Sequence, residues 1–235
     1  MSERPRLQSV LLDLDGTLLQ SDVFDVLTMD RLLREALGLE LPEAEIRRFL
    51  GRSSRDILSE LSPGRVEPLL ARLAELGEEL RHLSQPFPGI LEKLKQAGLR
   101  LGVVTSQNRR ELAASRRHAG LDGLIDVWIA ADDVPRPKPA SDPIIAALAA
   151  LRTAPAAAVM VGDTRFDIEA GRAAGTLTAA ACWGASDPEA LSAQKPDYLL
   201  AEPEDLLCLR ADGARDPGRE GQEAPLFSTK RKERE

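Results

Sequence analysis

The segment from Val10 to Leu18 constrains the fold of this chain more than any other, because it joins a short apolar run to two carboxylates. The apolar residues are typical of a buried strand, and Gly16 and Thr17 favour a tight turn after it. Asp13 and Asp15 are two positions apart, so their side chains point the same way in an extended chain. A buried carboxylate is costly unless it is paired or bound to a metal. The segment therefore predicts a cation site with a second carboxylate beside it, or else an ordinary Asp-Gly turn.

Composition narrows the class of protein and the kind of partner. The chain has 235 residues, of which 43% are hydrophobic and 29% charged, as in ordinary globular proteins. Its net charge of −7 argues against a nucleic-acid or anionic-membrane partner, but not against a small phosphate held by a local cation. Two cysteines fit a reducing compartment, and no segment reaches the roughly 20 apolar residues that span a bilayer. The sequence predicts a cytoplasmic protein.

Helical periodicity begins after the first turn and continues to residue 85. One apolar stripe ends before Gly38, and a second short stripe ends at Gly51. Ser53 or Ser54 can cap a third helix, and a long seam follows at Leu69, Leu73, Leu76, Leu80 and Leu83. No strand-like segment lies between residues 20 and 85. We expect an all-helical unit over 19–85, inserted directly after the first strand.

From residue 86 onward, helices and strands alternate, which is typical of a parallel sheet covered by helices on both faces. Strands are predicted at 7–14, 99–104, 125–130, 157–161, 177–182 and 198–200, and helices at 89–97, 109–119, 142–152 and 166–174, with Ser141 capping the third of these helices. The sequence therefore predicts an α/β fold, a doubly wound parallel sheet. Its core would comprise 1–18 and 86–210, followed by a disordered tail over 211–235.

Chemically active side chains follow four of the predicted elements. Because ligands bind beyond the carboxyl ends of parallel strands, we expect these groups to meet: Asp13 and Asp15, Thr105 and Ser106, Lys138, and Asp163 with Asp167. Phosphoryl transfer to a carboxylate requires acids that hold a cation, hydroxyls that bind an anion and a fixed ammonium. Each group taken alone also has a structural interpretation, as a helix cap or a solvated surface charge.

These four segments resemble, in order, the motifs of the haloacid dehalogenase-like (HAD) hydrolase superfamily. They read Asp13–Thr17, Val104–Ser106, Lys138–Pro139 and Val161–Asp167. The resemblance covers residues 7 to about 207 and implies a Rossmann-like core with a cap of the helical type. Within the superfamily, the run 89–207 is most similar to the phosphoglycolate phosphatase and inorganic pyrophosphatase branches.

The resemblance implies separate roles for the first two carboxylates. Asp13 would attack phosphorus and become an aspartyl-phosphate. Asp15 would protonate the leaving oxygen and then deprotonate the water that hydrolyses the intermediate. Dehalogenases of the superfamily need no acid at this second position, since halide leaves without a proton. Asp15 therefore favours phosphate ester or anhydride chemistry.

The resemblance also implies a Mg²⁺ site and a phosphate site. The metal ligands would be the Asp13 carboxylate, the backbone carbonyl of Asp15 and Asp163. The phosphate would be bound by Thr105, Ser106 and Lys138. Asp167 would support Lys138 or a metal-bound water.

Substrate choice in helical-cap members depends on the cap, and here the candidate segment is the loop 49–55. Gly51 permits a tight turn, and Arg52 or Arg55 could bind a second anionic group of the substrate. Both arginines could equally be solvated surface residues. Gln107, just after the second motif, is another residue that could determine substrate preference.

The function predicted from the sequence is a Mg²⁺-dependent phosphatase acting on a small phosphorylated metabolite, such as phosphoglycolate or pyrophosphate. A sugar phosphomutase with the same fold is the alternative within the enzymes. A non-catalytic regulatory protein is the alternative outside them, and it would be expected to lack at least one of Asp13, Asp15, Lys138 and Asp163. Both a monomer and a homodimer remain compatible with the sequence.

Overall fold

The protein is built around a parallel sheet with helices on both faces. The computed structural model describes residues 6–80, 85–86, 89–185 and 187–209. Its strands are β1 (Ser9–Leu12), β2 (Leu19–Gln20), β3 (Gln85–Pro86), β4 (Arg100–Val104), β5 (Val127–Ile129), β6 (Ala158–Gly162), β7 (Leu177–Ala181) and β8 (Tyr198–Leu200). Six of them form a sheet in the order β5-β4-β1-β6-β7-β8, with every pair parallel. This confirms the predicted fold class.

Strand β1 is the central strand because its residues are apolar on both faces. Val10 and Leu12 pack into the larger apolar cluster on one side, while Leu11 packs into a second cluster on the other. Helices α5 (Ile90–Gln96) and α6 (Arg109–Ala119) contribute to the first cluster. Helices α7 (Asp142–Leu151) and α8 (Arg165–Ala174) contribute to the second. Because β1 is buried on both faces, the strand fixes the position of Asp13, the residue that follows it.

The described residues between β2 and β3 are largely helical, as predicted. They include α1 (Asp22–Leu32), which continues as a π-helical turn to Leu37, and then α2 (Glu43–Ile46), α3 (Ser54–Leu61) and α4 (Val66–Leu80). These helices share their own apolar cluster, which includes Leu32, Leu58, Leu69, Leu73 and Leu76. The Ser53 hydroxyl accepts a hydrogen bond from the Asp56 backbone N–H, 3.2 Å away, and so caps α3. Leu83 lies outside the described residues.

A two-stranded antiparallel ribbon joins the two ends of the helical cap. Leu19 pairs with Pro86 and Gln20 with Gln85. The sequence pattern did not indicate this ribbon, because two residues a strand are too few to show a periodicity. The proposed division into a core of 1–18 and 86–210 and a cap of 19–85 passes through it. The predicted tail over 211–235 lies outside the described residues.

One local expectation requires correction, and one helix was not predicted. Ser141 occupies the N-cap position of α7, but its side chain accepts no capping hydrogen bond, because its backbone is helical (φ −73°, ψ −14°) rather than extended. A further helix, α9 (Pro188–Ala193), was not predicted, and the Asp187 side chain caps it by accepting from the Ala190 N–H at 2.9 Å. None of the described helices combines the length and apolar composition needed to cross a membrane.

Candidate active site

The chain leaves β1 in a tight turn that presents Asp13 and Asp15 at the carboxyl edge of the sheet. The Asp13 N–H donates to the carbonyl of Val161 at 2.9 Å and so extends the ladder between β1 and β6. Gly16 then adopts a positive φ of 75°, which favours glycine. A Cβ on Gly16 would lie 2.4 Å from Oδ2 of Asp163, so the absence of a side chain lets the two loops approach closely.

Lys138 lies in the centre of the site as a buried ammonium. Its Nζ donates to Oδ1 of Asp13 at 2.7 Å, to Oδ1 of Asp167 at 2.7 Å and to the carbonyl of Val104 at 3.1 Å. These three bonds use all the donors of an ammonium. Burial alone would lower the pKa of Lys138, but the adjacent Asp13 and Asp167 raise it above its ordinary value. Lys138 therefore stays charged.

Asp167 supports the site from beneath and is fully buried, not a surface charge. Its Oδ2 accepts hydrogen bonds from the backbone N–H of Thr164 at 3.1 Å and from the Thr164 hydroxyl at 2.6 Å, while its Oδ1 accepts from Lys138. Thr164 is the N-cap residue of α8, so the start of that helix fixes the position of Asp167. Gly162 makes room for it, since a Cβ there would lie 2.1 Å from Cγ of Asp167.

We expect Gly162→Ala to destabilise the protein by about 1–3 kcal/mol, because the added methyl group would force Asp167 or β6 to move. The measurement is urea denaturation of the variant and the wild type. Gly64→Ala is the matched control, since a Cβ on Gly64 meets no described atom within 4 Å. Equal unfolding free energies for the two variants would contradict the close approach of Gly162 and Asp167.

The carboxylates of the site repel one another and fit a hard divalent cation. Ligand oxygens of Asp13, Asp163 and Asp167 lie within 4.8 Å of one another. Burial raises the pKa of Asp13 to about 7, and Asp167 and Asp15 add to the rise although Lys138 opposes it. Burial, followed by the charge of Asp13, raises the pKa of Asp163 well above its ordinary value. One ammonium does not balance this many acids, and carboxylate oxygens are the ligands that Mg²⁺ prefers.

Asp15 is oriented by Gln107, a residue that the sequence suggested only for substrate preference. The Gln107 side-chain amide donates to Oδ2 of Asp15 at 2.7 Å, and its own carbonyl oxygen accepts from the Ser115 hydroxyl at 2.9 Å. The pair is 92 residues apart in the chain, and no spacing pattern in the sequence connects them. Gln107 is therefore a positioning residue for Asp15 in this structure.

Thr105 and Ser106 line the same cavity as Asp13. The Thr105 hydroxyl accepts from the backbone N–H of Gln107 at 3.1 Å, which fixes the loop after β4. The Ser106 hydroxyl donates to the backbone carbonyl of Gly51 at 2.9 Å, so it connects the core to the helical cap.

The loop before α3 is in direct contact with the core. Gly51 has a φ of 82°, and a Cβ there would lie 2.5 Å from the Thr164 side chain. The Ser54 hydroxyl donates to Oε1 of Glu111 at 3.0 Å. Together with the bond from Ser106, these contacts close the helical cap over the carboxylates.

The two candidate specificity arginines are both paired within the helical cap. Arg52 lines the cavity, and its guanidinium bonds Oε2 of Glu60 at 2.7 Å. Arg55 is exposed, bonds Oε1 of Glu67 at 2.7 Å and is not among the residues that line the cavity. The structure therefore brings Arg52, and not Arg55, toward the site.

Asp25 is a site residue that sequence reasoning missed. It lies on α1, accepts from the Ser21 hydroxyl at 2.7 Å and lines the cavity. Burial, followed by the charge of Asp15, raises the pKa of Asp25 well above its ordinary value. No spacing in the sequence pointed to Asp25, because its proximity to Asp15 arises only in the folded structure.

Comparison with known proteins agrees with this geometry. The family model described as haloacid dehalogenase-like hydrolase matches residues 10–181. Pyrophosphatase PpaX of Bacillus cereus is 31% identical over 211 residues, which cover 88% of this chain and 98% of the relative. The crystal structure named "putative phosphoglycolate phosphatase" from Lactobacillus plantarum has a TM-score of 0.78 and 29% identity, covering 87% of this chain and 99% of its own. A hydrolase from Pseudomonas syringae has a TM-score of 0.75 and 26% identity, covering 85% and 96%. Because the family model matches more than half of the chain and includes all four motifs, the chain belongs to the haloacid dehalogenase-like hydrolase family.

Proposed function

We propose that this protein is a Mg²⁺-dependent phosphatase that hydrolyses a small phosphorylated metabolite through an aspartyl-phosphate on Asp13. The observation that carries the proposal is the contact of the Lys138 ammonium with Asp13 at the floor of a cavity that Asp15 also lines. Relatives named pyrophosphatase and phosphoglycolate phosphatase support phosphate chemistry.

Each carboxylate has a distinct role in the proposed reaction. Lys138 holds Oδ1 of Asp13, which orients the carboxylate so that its other oxygen attacks phosphorus. The bond from phosphorus to the leaving oxygen breaks, and Asp15 gives that oxygen its proton. Asp15 then takes a proton from the water that attacks the aspartyl-phosphate, which releases phosphate and restores Asp13. Gln107 keeps Asp15 in place through both steps.

The phosphate and the metal are assigned to neighbouring groups. Asp13, Asp163 and the backbone carbonyl of Asp15 would hold Mg²⁺, which when bound offsets the negative charge that the carboxylates and the phosphate bring together. The Thr105 hydroxyl and the Ser106 backbone amide would bind phosphate oxygens. Lys138 would add a fixed positive charge beside them.

We expect phosphate release to require Mg²⁺ and to be abolished by EDTA. Asp163→Asn should raise the Mg²⁺ concentration needed for half-maximal activity by about 10-fold or more, since it removes one charged ligand. The measurement is the rate of phosphate release from para-nitrophenyl phosphate across a Mg²⁺ titration. Asp122→Asn is the matched control, because Asp122 is an exposed carboxylate paired with Arg116.

Activity that persists in EDTA would contradict the proposed metal dependence. Product analysis distinguishes a phosphatase from the phosphomutase alternative. A mutase converts a sugar phosphate into its isomer without stoichiometric phosphate release. An absence of both products, together with full occupancy of the site by Mg²⁺, would favour the regulatory protein.

A further inference from the structure

The loop that follows β7, residues 182–185, contacts the turn after β1, although the two strands are not neighbours in the sheet. Strand β6 lies between them. At the ordinary spacing of strands, β1 and β7 are therefore about 10 Å apart. The loop crosses the end of β6 to reach Gly16 and Thr17. The four motifs described above do not include this loop.

Trp183 and Gly184 contact the turn in different ways. The indole Nε1–H of Trp183 donates to the backbone carbonyl of Thr17 at 3.2 Å. A Cβ on Gly184 would lie 1.9 Å from the backbone carbonyl oxygen of Gly16, so the two backbones pack directly against each other. Gly184 does not have the left-handed backbone that favours glycine. Its lack of a side chain is therefore required by the close approach and not by its own conformation.

The turn that this loop contacts connects two of the proposed metal ligands. The Thr17 hydroxyl donates to Oδ1 of Asp163 at 3.1 Å. Thr17 is thus bonded through its hydroxyl to one proposed ligand and through its carbonyl to Trp183. Gly16 directly follows Asp15, whose backbone carbonyl is another proposed ligand. A shift of the turn would therefore displace both ligands together.

The turn is also held from the helical cap, but through different atoms. The Gly16 N–H donates to the carbonyl of Leu19 at 2.8 Å and to the hydroxyl of Ser21 at 3.1 Å. Ser21 immediately precedes α1, so this anchor belongs to the cap. Trp183 and Gly184 instead hold carbonyl groups of the turn, and they belong to the core. The loop after β7 therefore fixes the turn relative to the sheet.

We propose that Trp183 and Gly184 are positioning residues of the metal site. They fix the turn after β1, and thereby the oxygen atoms that Asp15 and Asp163 would offer to Mg²⁺. The inference rests on the metal site of the proposed function and assigns no chemistry to the indole, which acts through Thr17. A purely structural role would change only the free energy of unfolding. A positioning role also changes the affinity for Mg²⁺ in the absence of substrate.

The first test is Trp183→Phe, which removes the indole N–H and keeps an aromatic ring against the apolar cluster. We expect the dissociation constant for Mg²⁺, measured by titration calorimetry without substrate, to rise about 3–10-fold, the effect of one lost hydrogen bond. The Tm without Mg²⁺ should stay close to that of the wild type. Trp128→Phe is the matched control, because Trp128 packs against the same cluster from the edge strand β5. It should leave the affinity for Mg²⁺ unchanged.

The second test is Gly184→Ala, which alters the contact with the turn while Trp183 stays in place. The added Cβ meets backbone atoms of Gly16, which cannot rotate away as a side chain would. We therefore expect the dissociation constant for Mg²⁺ to rise at least as much as in Trp183→Phe. Gly64→Ala is the matched control, since a Cβ there meets no described atom within 4 Å.

A third measurement leaves the loop unchanged. The chain has two tryptophans, so Trp183 is the remaining one in Trp128→Phe. Addition of Mg²⁺ to that protein should change the fluorescence emission of Trp183, because the indole N–H is bonded to the turn that orients the ligands. Unchanged emission at a Mg²⁺ concentration that saturates the calorimetric signal would contradict the coupling.

The outcomes distinguish this inference from the proposed function. If a folded Trp183→Phe or Gly184→Ala protein binds Mg²⁺ as tightly as its control variant, the positioning role is overturned and the phosphatase function stands. If the wild type binds no Mg²⁺ and releases phosphate in EDTA, the proposed metal dependence fails, and the inference fails with it. Weaker binding confined to the two loop variants supports the inference.

Discussion

Replacing Asp13 by asparagine is expected to lower phosphate release by at least about 10⁴-fold, the size of loss seen when a catalytic nucleophile is removed. An amide oxygen is a far weaker nucleophile than a carboxylate and forms no stable phosphoryl intermediate. The fold should survive, because asparagine has the same shape and Lys138 keeps its bonds to Asp167 and to the Val104 carbonyl. The loss should therefore be catalytic and not structural.

The measurement is steady-state release of phosphate with the wild type and the variant, accompanied by thermal unfolding of both. Similar Tm values with the expected loss of rate support Asp13 as the nucleophile. Full activity of the Asp13→Asn protein on any substrate would contradict the proposed mechanism.

Replacing Asp15 by alanine should slow turnover by about 10²–10⁴-fold, the usual contribution of a general acid or base. The leaving oxygen would then depart without a proton, and water would attack the aspartyl-phosphate without a base. We expect the phosphoenzyme to accumulate or to decay slowly. Acid quenching followed by intact mass measurement would detect the added phosphoryl group.

Asp15→Asn is the matched variant, since its side-chain oxygen can still accept the hydrogen bond from Gln107. A similar loss in both variants assigns the effect to proton transfer. Full activity in Asp15→Asn would instead show that the residue acts only by holding Gln107 and the loop after β4.

The parts of the fold that were predictable are those encoded by neighbouring residues. The apolar run before Asp13 indicates a strand buried on both faces, and the structure places β1 at the centre of the sheet. Helix α6 begins and ends where predicted, because Asn108 forms a capping box with Glu111 and Gly120 adopts a left-handed conformation after the last turn. Strand ends were less predictable, since pairing partners and not local sequence determine them.

The parts of the site that sequence reasoning missed depend on contacts between distant segments. The four motifs could be found because each is a short run of residues. The bond between Gln107 and Asp15 exists because β1 and β4 are neighbours in the sheet, 92 residues apart along the chain. The position of Asp25 beside the carboxylates exists because the helical cap folds back over the sheet. The contact of Ser106 with the carbonyl of Gly51 has the same origin. Residue spacing carries no signal for such pairs.

The ribbon formed by β2 and β3 also has a consequence for folding speed. Strand β1 pairs with partners far along the chain, with Ser9 opposite Arg100 on one side and Ala158 on the other. Closing such loops lowers chain entropy, and long-range pairing of this kind slows folding. Once Gln20 pairs with Gln85, the helical insertion no longer belongs to the loop that β1 and β4 must close. The ribbon therefore lets a chain with a large insertion assemble its central ladder nearly as if the insertion were absent.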